Sequence, residues 1–287
     1  MTPKDVKAFV SLAESNSLPI RVYGMLDGNN DELMKHWFAQ GPLIDKSGFL
    51  NIRSIKVFYD GSLGSRTALM EEPYSDQIGK SLATERISTK KILQLGRKAA
   101  DKGFQMAVHA IGDKGNNQVL KLYEEILDTN GIFDHRWRIE HAQVLFPNFY
   151  SRAAELKVLA SMQSSHAVGD SKWAEDRIGS ERIQDAYAWQ NILKSGVRLL
   201  LNSDLPGEPW KPMETLYFAV NRKPLDSTKE SKGWYMNQAL TVEEALKAMT
   251  IENAYGAFQE KKLGSIEVNK LADFIIIDQN PLTVVSE

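Results

Sequence analysis

The chain has 287 residues, 43% of them hydrophobic and 25% charged, which is the composition of a globular protein with room for one large domain or two ordinary ones. Its 35 basic and 37 acidic side chains leave a formal net charge of -2, a balance that gives no support to nucleic acid or an acidic membrane as the main partner. Cysteine is absent, which excludes disulfides, thiolate metal sites and cysteine nucleophiles. The N-terminus has no signal-peptide layout and no stretch approaches the ~20 consecutive apolar residues of a membrane span, so a cytoplasmic protein is expected.

Pro3 to Asn16 reads as a helix with Val6, Phe9, Val10 and Ala13 on one face. Arg21 to Leu26 is the first strand, closed by Asp27-Gly28, and a second runs from about Ile52 to Tyr59 into DGSLGSR. Ser88 caps a helix carrying Ile92, Leu95 and Ala99, which Gly103 stops. Strand QMAVHAI, a helix around Val119 to Leu127, strand WRIEHAQVL and a helix from Pro147 to Leu156 follow. Then come strand VLASMQSSH, a helix near Glu181 to Ser195 stopped by Gly196, and strand VRLLLNSD. Lys223 to Gly233, rich in Lys, Ser, Pro and Asp, reads as a surface loop. Thr241 and Glu244 form the capping box of a helix reaching about Phe258, and GSIEV and ADFIIID are two final strand candidates separated by Asn269-Lys270.

Strands alternating with amphipathic segments predict βα units around a parallel sheet. About six barrel-type strands are visible, whereas a closed (β/α) barrel has eight. The expectation is therefore an α/β fold with an incomplete barrel, either open or lacking an upstream part.

In parallel α/β folds reactive groups gather at the C-terminal ends of strands. His109 ends QMAVHAI, His141 ends RIEH, His166 ends ASMQSSH, Asp204 ends LLLNSD, and Lys56 lies just ahead of Asp60. Each has an ordinary explanation: a lone His is more often a hydrogen-bonded structural residue, Asp204 caps a turn, and Lys56 pairs with Asp60 or Glu140. Three of the chain's five histidines at successive strand ends make independent coincidences the weaker account; His36 and His135 read as solvated. Imidazole and carboxylate without sulfur suit zinc, and less exclusively manganese, iron or nickel. Such an ion would lower the pKa of its water to ~7, and an adjacent Asp would pass the proton to a leaving amine. DGSLGSR offers backbone N–H groups and Arg66 to an anion, but a Gly-rich turn is equally a structural need. No G-x-S-x-G elbow or Walker spacing occurs.

The motifs IKVFYDGSLGSRTA, MAVHAIGD, RIEHAQ, NSDLP and GSIEVNKLADFIIID, in this order over nearly the whole chain, resemble the amidohydrolase superfamily, in the branch of exoenzyme regulatory proteins and N-substituted formamide deformylases. The resemblance implies a TIM-type barrel of about strands 3 to 8 over residues 1–258, and a remnant of a small β-sandwich over residues 259–287. It implies His109 and His141 as metal ligands, Asp204 as ligand and proton shuttle, and Lys56 as a carboxylated, metal-bridging lysine. Asp60, Arg66, Gln163 and His166 are expected to face a small amide-type substrate. The chain departs from the family in one respect: no two histidines are separated by a single residue, so the first-strand H-x-H pair is absent. The expectation is a metal-dependent hydrolase of C–N bonds that lacks its N-terminal segment, holds at most one weakly bound ion and has little activity. A catalytically silent binding protein or fragment of the same fold is the alternative, and a phosphate-binding barrel enzyme a third that leaves the histidines unexplained. Missing strands would expose sheet edges, so a homodimer or another covering association is expected.

Overall fold

The computed structural model describes residues 1–77, 79, 83–130, 133–228 and 230–284. Thr2 and Asp5 close a reciprocal capping box on the first helix, α1 (Pro3–Glu14), with Pro3 at its first turn. Strand β1 (Val22–Asp27) follows, then α2 (Asp31–Gln40), the short β2 (Leu43–Ile44) and β3 (Leu50–Phe58). From there the chain alternates through α3 (Thr89–Lys102), β4 (Gln105–Ala110), α4 (Asp113–Asn130), β5 (Arg138–His141), α5 (Phe149–Glu155) and β6 (Leu159–Gln163). Helices α6 (Ser164–Asp170), α7 (Ala174–Arg182) and α8 (Trp189–Lys194) lead to β7 (Leu199–Asn202), and α9 (Pro212–Asn221), α10 (Val242–Met249) and α11 (Ile251–Gly256) complete the order.

Six strands form one parallel sheet in the order β1-β3-β4-β5-β6-β7, with β2 antiparallel to β3. The sheet curls. Arg138 of β5 reaches the Met25 sulfur of β1 at 3.4 Å, although three strand spacings of about 4.8 Å each separate those strands along a flat sheet. The result is a partial TIM-type barrel, as the alternating pattern predicts. Its outer layer is apolar: Ile92, Leu95, Val119, Tyr123 and Ile126 from α3 and α4 are buried together with Val108 and Ile139 of the strands.

Several local expectations change. The single helix expected from Glu181 to Ser195 is two, α7 and α8, with a 3-10 turn at Ile183–Asp185 between them. Tyr187 at φ 50 breaks the run, and the 144–145 segment docks there, Val144 forming a bridge with Ala186. Helices α2, α6 and α9 and the short β2 are additional to the expected elements, and the helix expected to reach about Phe258 is two, α10 and α11. The C-terminal strands expected at GSIEV and ADFIIID have no ladder partner among the described residues. Ile266, Val268, Ile275 and Ile276 are 76–91% exposed, and the segment is tied to the barrel by the two-pronged pairs of Arg21 with Asp273 at 2.5 and 3.1 Å and of Arg136 with Glu260 at 2.7 and 3.0 Å. A strand apolar on both faces needs a neighbour and a core on each side, and residues 259–284 find neither here.

Candidate metal centre

The strand ends of β4, β5 and β7 and the first turn of α6 converge. His109 and His141 meet edge to face with ring centroids 4.4 Å apart, and His141 stacks on His166 at 5.5 Å. One donor atom each from His141, His166 and Asp204 lie within 4.8 Å of one another. His166 Nε2 stands 3.7 Å from Asp204 Oδ2 and 3.6 Å from Glu208 Oε1, too far for good hydrogen bonds. The backbone at His141, Ala142 and Asp204 has φ of 76, 43 and 57, which costs on the order of 1–3 kcal/mol per residue. Such strain concentrates where a side chain must be aimed out of a regular strand.

His109 is oriented from behind. Its Nε2 donates to the Gly61 carbonyl at 3.0 Å and lies 3.4 Å from Asp60 Oδ1. Its Nδ1 is buried with no hydrogen-bond partner among the described residues. Asp60 itself is fully buried and accepts the backbone N–H groups of Leu69, Ile111 and Gly112 at 2.9–3.0 Å. It therefore stitches the 60–69 loop to the β4–α4 turn, and both oxygens of the carboxylate expected to face a substrate are engaged by backbone N–H groups. Arg66 departs likewise: it pairs two-pronged with Asp76 at 2.7 and 3.0 Å on the loop surface, which leaves the expected substrate role without support. The serine and threonine hydroxyls of DGSLGSRT close on one another and on the loop backbone, so this turn cradles its own chain.

Lys56 projects from β3 into a cavity of about 320 Å³ that also touches Arg138, Glu140, His141, Ser161, Asn202 and Asp204. Its Nζ has no hydrogen-bond partner among the described residues and lies 4.2 Å from the Phe58 ring centre. Burial pulls its pKa down to about 8 against the pull of Glu140 and Asp204, so a neutral amine is accessible near neutral pH. Burial would raise the Glu140 carboxyl, but the charges of Arg138 and Lys56 and bonds from Ser161 and Arg138 hold it below its usual range. Burial, followed by the charges of His109 and Lys56, pushes the His141 imidazole well below its usual value and keeps it neutral.

Of the residues predicted from sequence, Lys56, His109, His141, His166 and Asp204 are thus brought together. His166 joins the donor set directly and sits on a helix, where the sequence suggested a strand end facing substrate. Gln163 is bonded to His141 at 2.9 Å and to Asn202 at 2.9 Å, so its side chain is taken up by protein. His135, expected to be solvated, is 2% exposed: its Nδ1 accepts the Trp137 N–H and its Nε2 bonds Leu156 O. Sequence reading missed Arg138, Ser161 and Asn202, and named Glu140 only as an ordinary ion-pair partner for Lys56. Their signal is period two: Arg138 and Glu140, Ser161 and Gln163, and Asn202 and Asp204 occupy alternate positions on β5, on β6 and at the end of β7, where a barrel interior is ordinarily filled by branched apolar residues.

The donor set fits a divalent ion: two imidazoles stand beside a carboxylate without sulfur, and His109 Nδ1 and Lys56 Nζ are buried polar atoms with no hydrogen-bond partner among the described residues. Comparison with known proteins agrees. The sequence is 37% identical to the LONG AFTER FAR-RED 3 protein of Arabidopsis thaliana over 82% of this chain and 40% of that one. It is 32% identical to a Bacillus subtilis protein named as an amidohydrolase, YtcJ, over 97% of this chain and 51% of that one. The N-substituted formamide deformylase of Arthrobacter pascens matches at 26% over 80% of this chain and 41% of its own length. A crystal structure of a metal-dependent hydrolase from Pyrococcus horikoshii superposes with a TM-score of 0.87 at 30% identity, covering 99% of this chain and 56% of that one. The chain thus spans about half the length of these relatives. The family model described as the amidohydrolase family matches residues 1–287, and the chain belongs to that family.

Proposed function

We propose that the site hydrolyses a C–N bond of a small amide-type substrate with a divalent ion, zinc by the chemistry of its donors. The observation that carries this is the convergence of His141, His166 and Asp204 donors within 4.8 Å, beside the orphaned His109 Nδ1 and Lys56 Nζ. His141, His166 and Asp204 would hold the ion, with His109 and a Lys56 carboxylated by carbon dioxide as a second set of donors. An ion so held supplies a Lewis acid and a hydroxide equivalent at neutral pH. The chain's own contribution is positional. Asp204, half exposed at the mouth, accepts a proton and returns it to the leaving amine. The buried strand ends keep bulk water from the inner side, and the half-exposed Phe58 ring lies beside His109. The formamide deformylase among the relatives favours amides over esters.

Without an H-x-H pair in this sequence, we expect at most one ion per chain and slow turnover. The same absence favours a second reading, a binding protein of this fold without catalysis. In this proposal residues 1–258 are the barrel unit and 259–287 belong to a β-sandwich unit, and a homodimer or another association covers the open edges. The test is metal analysis of the purified chain with and without added zinc, together with amide and N-formyl amine hydrolysis. One zinc per chain, lost in His141→Ala and His166→Ala, with measurable hydrolysis supports the enzyme. Zinc without hydrolysis favours the binding protein; no zinc at all overturns the metal centre, and two tightly held ions overturn the single-ion expectation.

A further inference from the structure

The turn after α9 holds a buried cation that no carboxylate compensates. Arg222 closes α9 in the left-handed region at φ 47 and is 1% exposed. Its backbone carbonyl accepts the Trp234 N–H at 2.8 Å and its Nε donates to the Trp234 carbonyl at 2.6 Å, which draws residues 222–234 into a closed loop. Nη1 donates to the Tyr187 carbonyl at 3.2 Å, and the guanidinium lies 4.2 Å from the Trp189 ring centre and 5.5 Å from that of Trp234. The buried Nη2 has no hydrogen-bond partner among the described residues. A guanidinium keeps its charge when buried, and carbonyls and ring faces offset only part of the penalty of leaving water. Burial accordingly lowers the Arg222 pKa.

The unsatisfied end of the fork faces a cavity. Nε and Nη2 share one edge of the planar guanidinium, so Nη2 lies on the side of Trp234. Trp234 and Arg222 line a cavity of about 520 Å³ together with Lys172, Lys223 and Lys232. None of these three lysines pairs with a carboxylate among the described residues, and Lys172 and Lys232 are exposed. Among the described residues Glu175 is the one carboxylate on the wall, and it accepts the Tyr235 hydroxyl at 3.1 Å. Four cations against one carboxylate, with the guanidinium sealed in a medium of low dielectric, favour an anion. We propose that this basin binds the carboxylate or phosphate of a small molecule, with Arg222 supplying charge from the floor and Lys172, Lys223 and Lys232 from the wall. None of the His141, His166 and Asp204 donors is on that wall, so its occupancy does not depend on an ion at the metal centre.

The experiment titrates inorganic phosphate, and separately malonate, into the metal-free full chain at neutral pH, followed by proton–nitrogen NMR of the Trp234 indole and the Arg222 Nε–H. Saturable shifts of both signals are expected, weakening as sodium chloride is added. Saturation by phosphate alone assigns a phosphate ligand, and saturation by malonate alone a carboxylate ligand; either supports the basin. Lys172→Ala combined with Lys232→Ala alters only exposed side chains and should weaken binding about threefold to tenfold. Lys172→Glu combined with Lys232→Glu should abolish it. Arg222→Met should abolish it too, and the lysine variants carry the test if that protein fails to fold. No saturable shift with either anion, or an affinity unchanged in the lysine variants, overturns the proposal. Full affinity in a folded Arg222→Met protein overturns it as well, by leaving Arg222 only a structural tie of the 222–234 loop.

Discussion

At the scale of single residues, the site owes its geometry to groups whose polar atoms are taken up by the protein itself. Asp60 satisfies three backbone N–H groups and stands behind His109, so its removal leaves several buried donors without an acceptor. Asp60→Ala should destabilise the fold by about 3 kcal/mol or more by urea unfolding, judged from unsatisfied buried donors at roughly 1–3 kcal/mol each. Asp60→Asn should recover only part of this, since its amide nitrogen would meet N–H groups. His135 makes a different prediction. Burial lowers its pKa below the ordinary 6.5, opposed by its bond to Leu156, so the native state binds the proton less readily than the unfolded chain. Its contribution is therefore complete above about pH 6.5 and declines as the pH falls from there toward the depressed native value. Unfolding of the metal-free protein at pH 7.5 and 5.5 should show a larger loss of stability in the wild type than in His135→Gln; equal losses would remove His135 as a source.

At the scale of elements, close approach between loops sets what each turn must be. A Cβ on Gly112 would lie 2.0 Å from the Leu69 carbonyl oxygen, and one on Gly115 2.6 Å from the Asp60 carboxylate. The two glycines of HAIGDKGN are thus explained by the 60–69 loop lying across the start of α4, with no phosphate involved. Gly112→Ala should cost about 1–3 kcal/mol through overpacking and should also perturb the His109 ring, because the same loop carries Gly61. A Gly112→Ala protein with wild-type stability and an unmoved His109 resonance would count against this packing. Helix α2 was legible in hindsight: Asn30 caps it by accepting the Leu33 N–H at 2.9 Å, acidic residues open it and Gly41 closes it. Leu33, Met34, Trp37 and Phe38 repeat at helical spacing and are buried.

At the scale of the whole molecule, the apolar C-terminal segment is the least satisfied part. Phe274, Ile275 and Ile276 are 61–91% exposed in succession, on both faces of an extended run. Burying them is worth about 25 cal/mol per Å², so association is expected to follow wherever a matching surface is offered. Light scattering over a concentration series should show self-association, and Ile275→Thr combined with Ile276→Lys should reduce it. A monodisperse monomer at all concentrations would place the covering surface elsewhere.

The sequence by itself determined the alternation of strands and helices, the parallel sheet and the convergence of Lys56, His109, His141 and Asp204. These follow from local periodicity and from the rule that strand ends share one face of a parallel sheet. Tertiary structure alone decided the rest. That Asp60 sits in a ring of backbone N–H groups depends on the 60–69 loop folding back against the β4–α4 turn. Whether His135 is wet or sealed depends on Leu156, 21 residues away, and whether His166 is a strand end or the first turn of a helix depends on where β6 stops. The side chains that hold His141 depend on the register of β6 and β7, which sets Gln163 opposite Asn202 and within 2.9 Å of the His141 ring. Pattern reveals which residues share a face; only the packed fold decides which of their polar atoms are already taken.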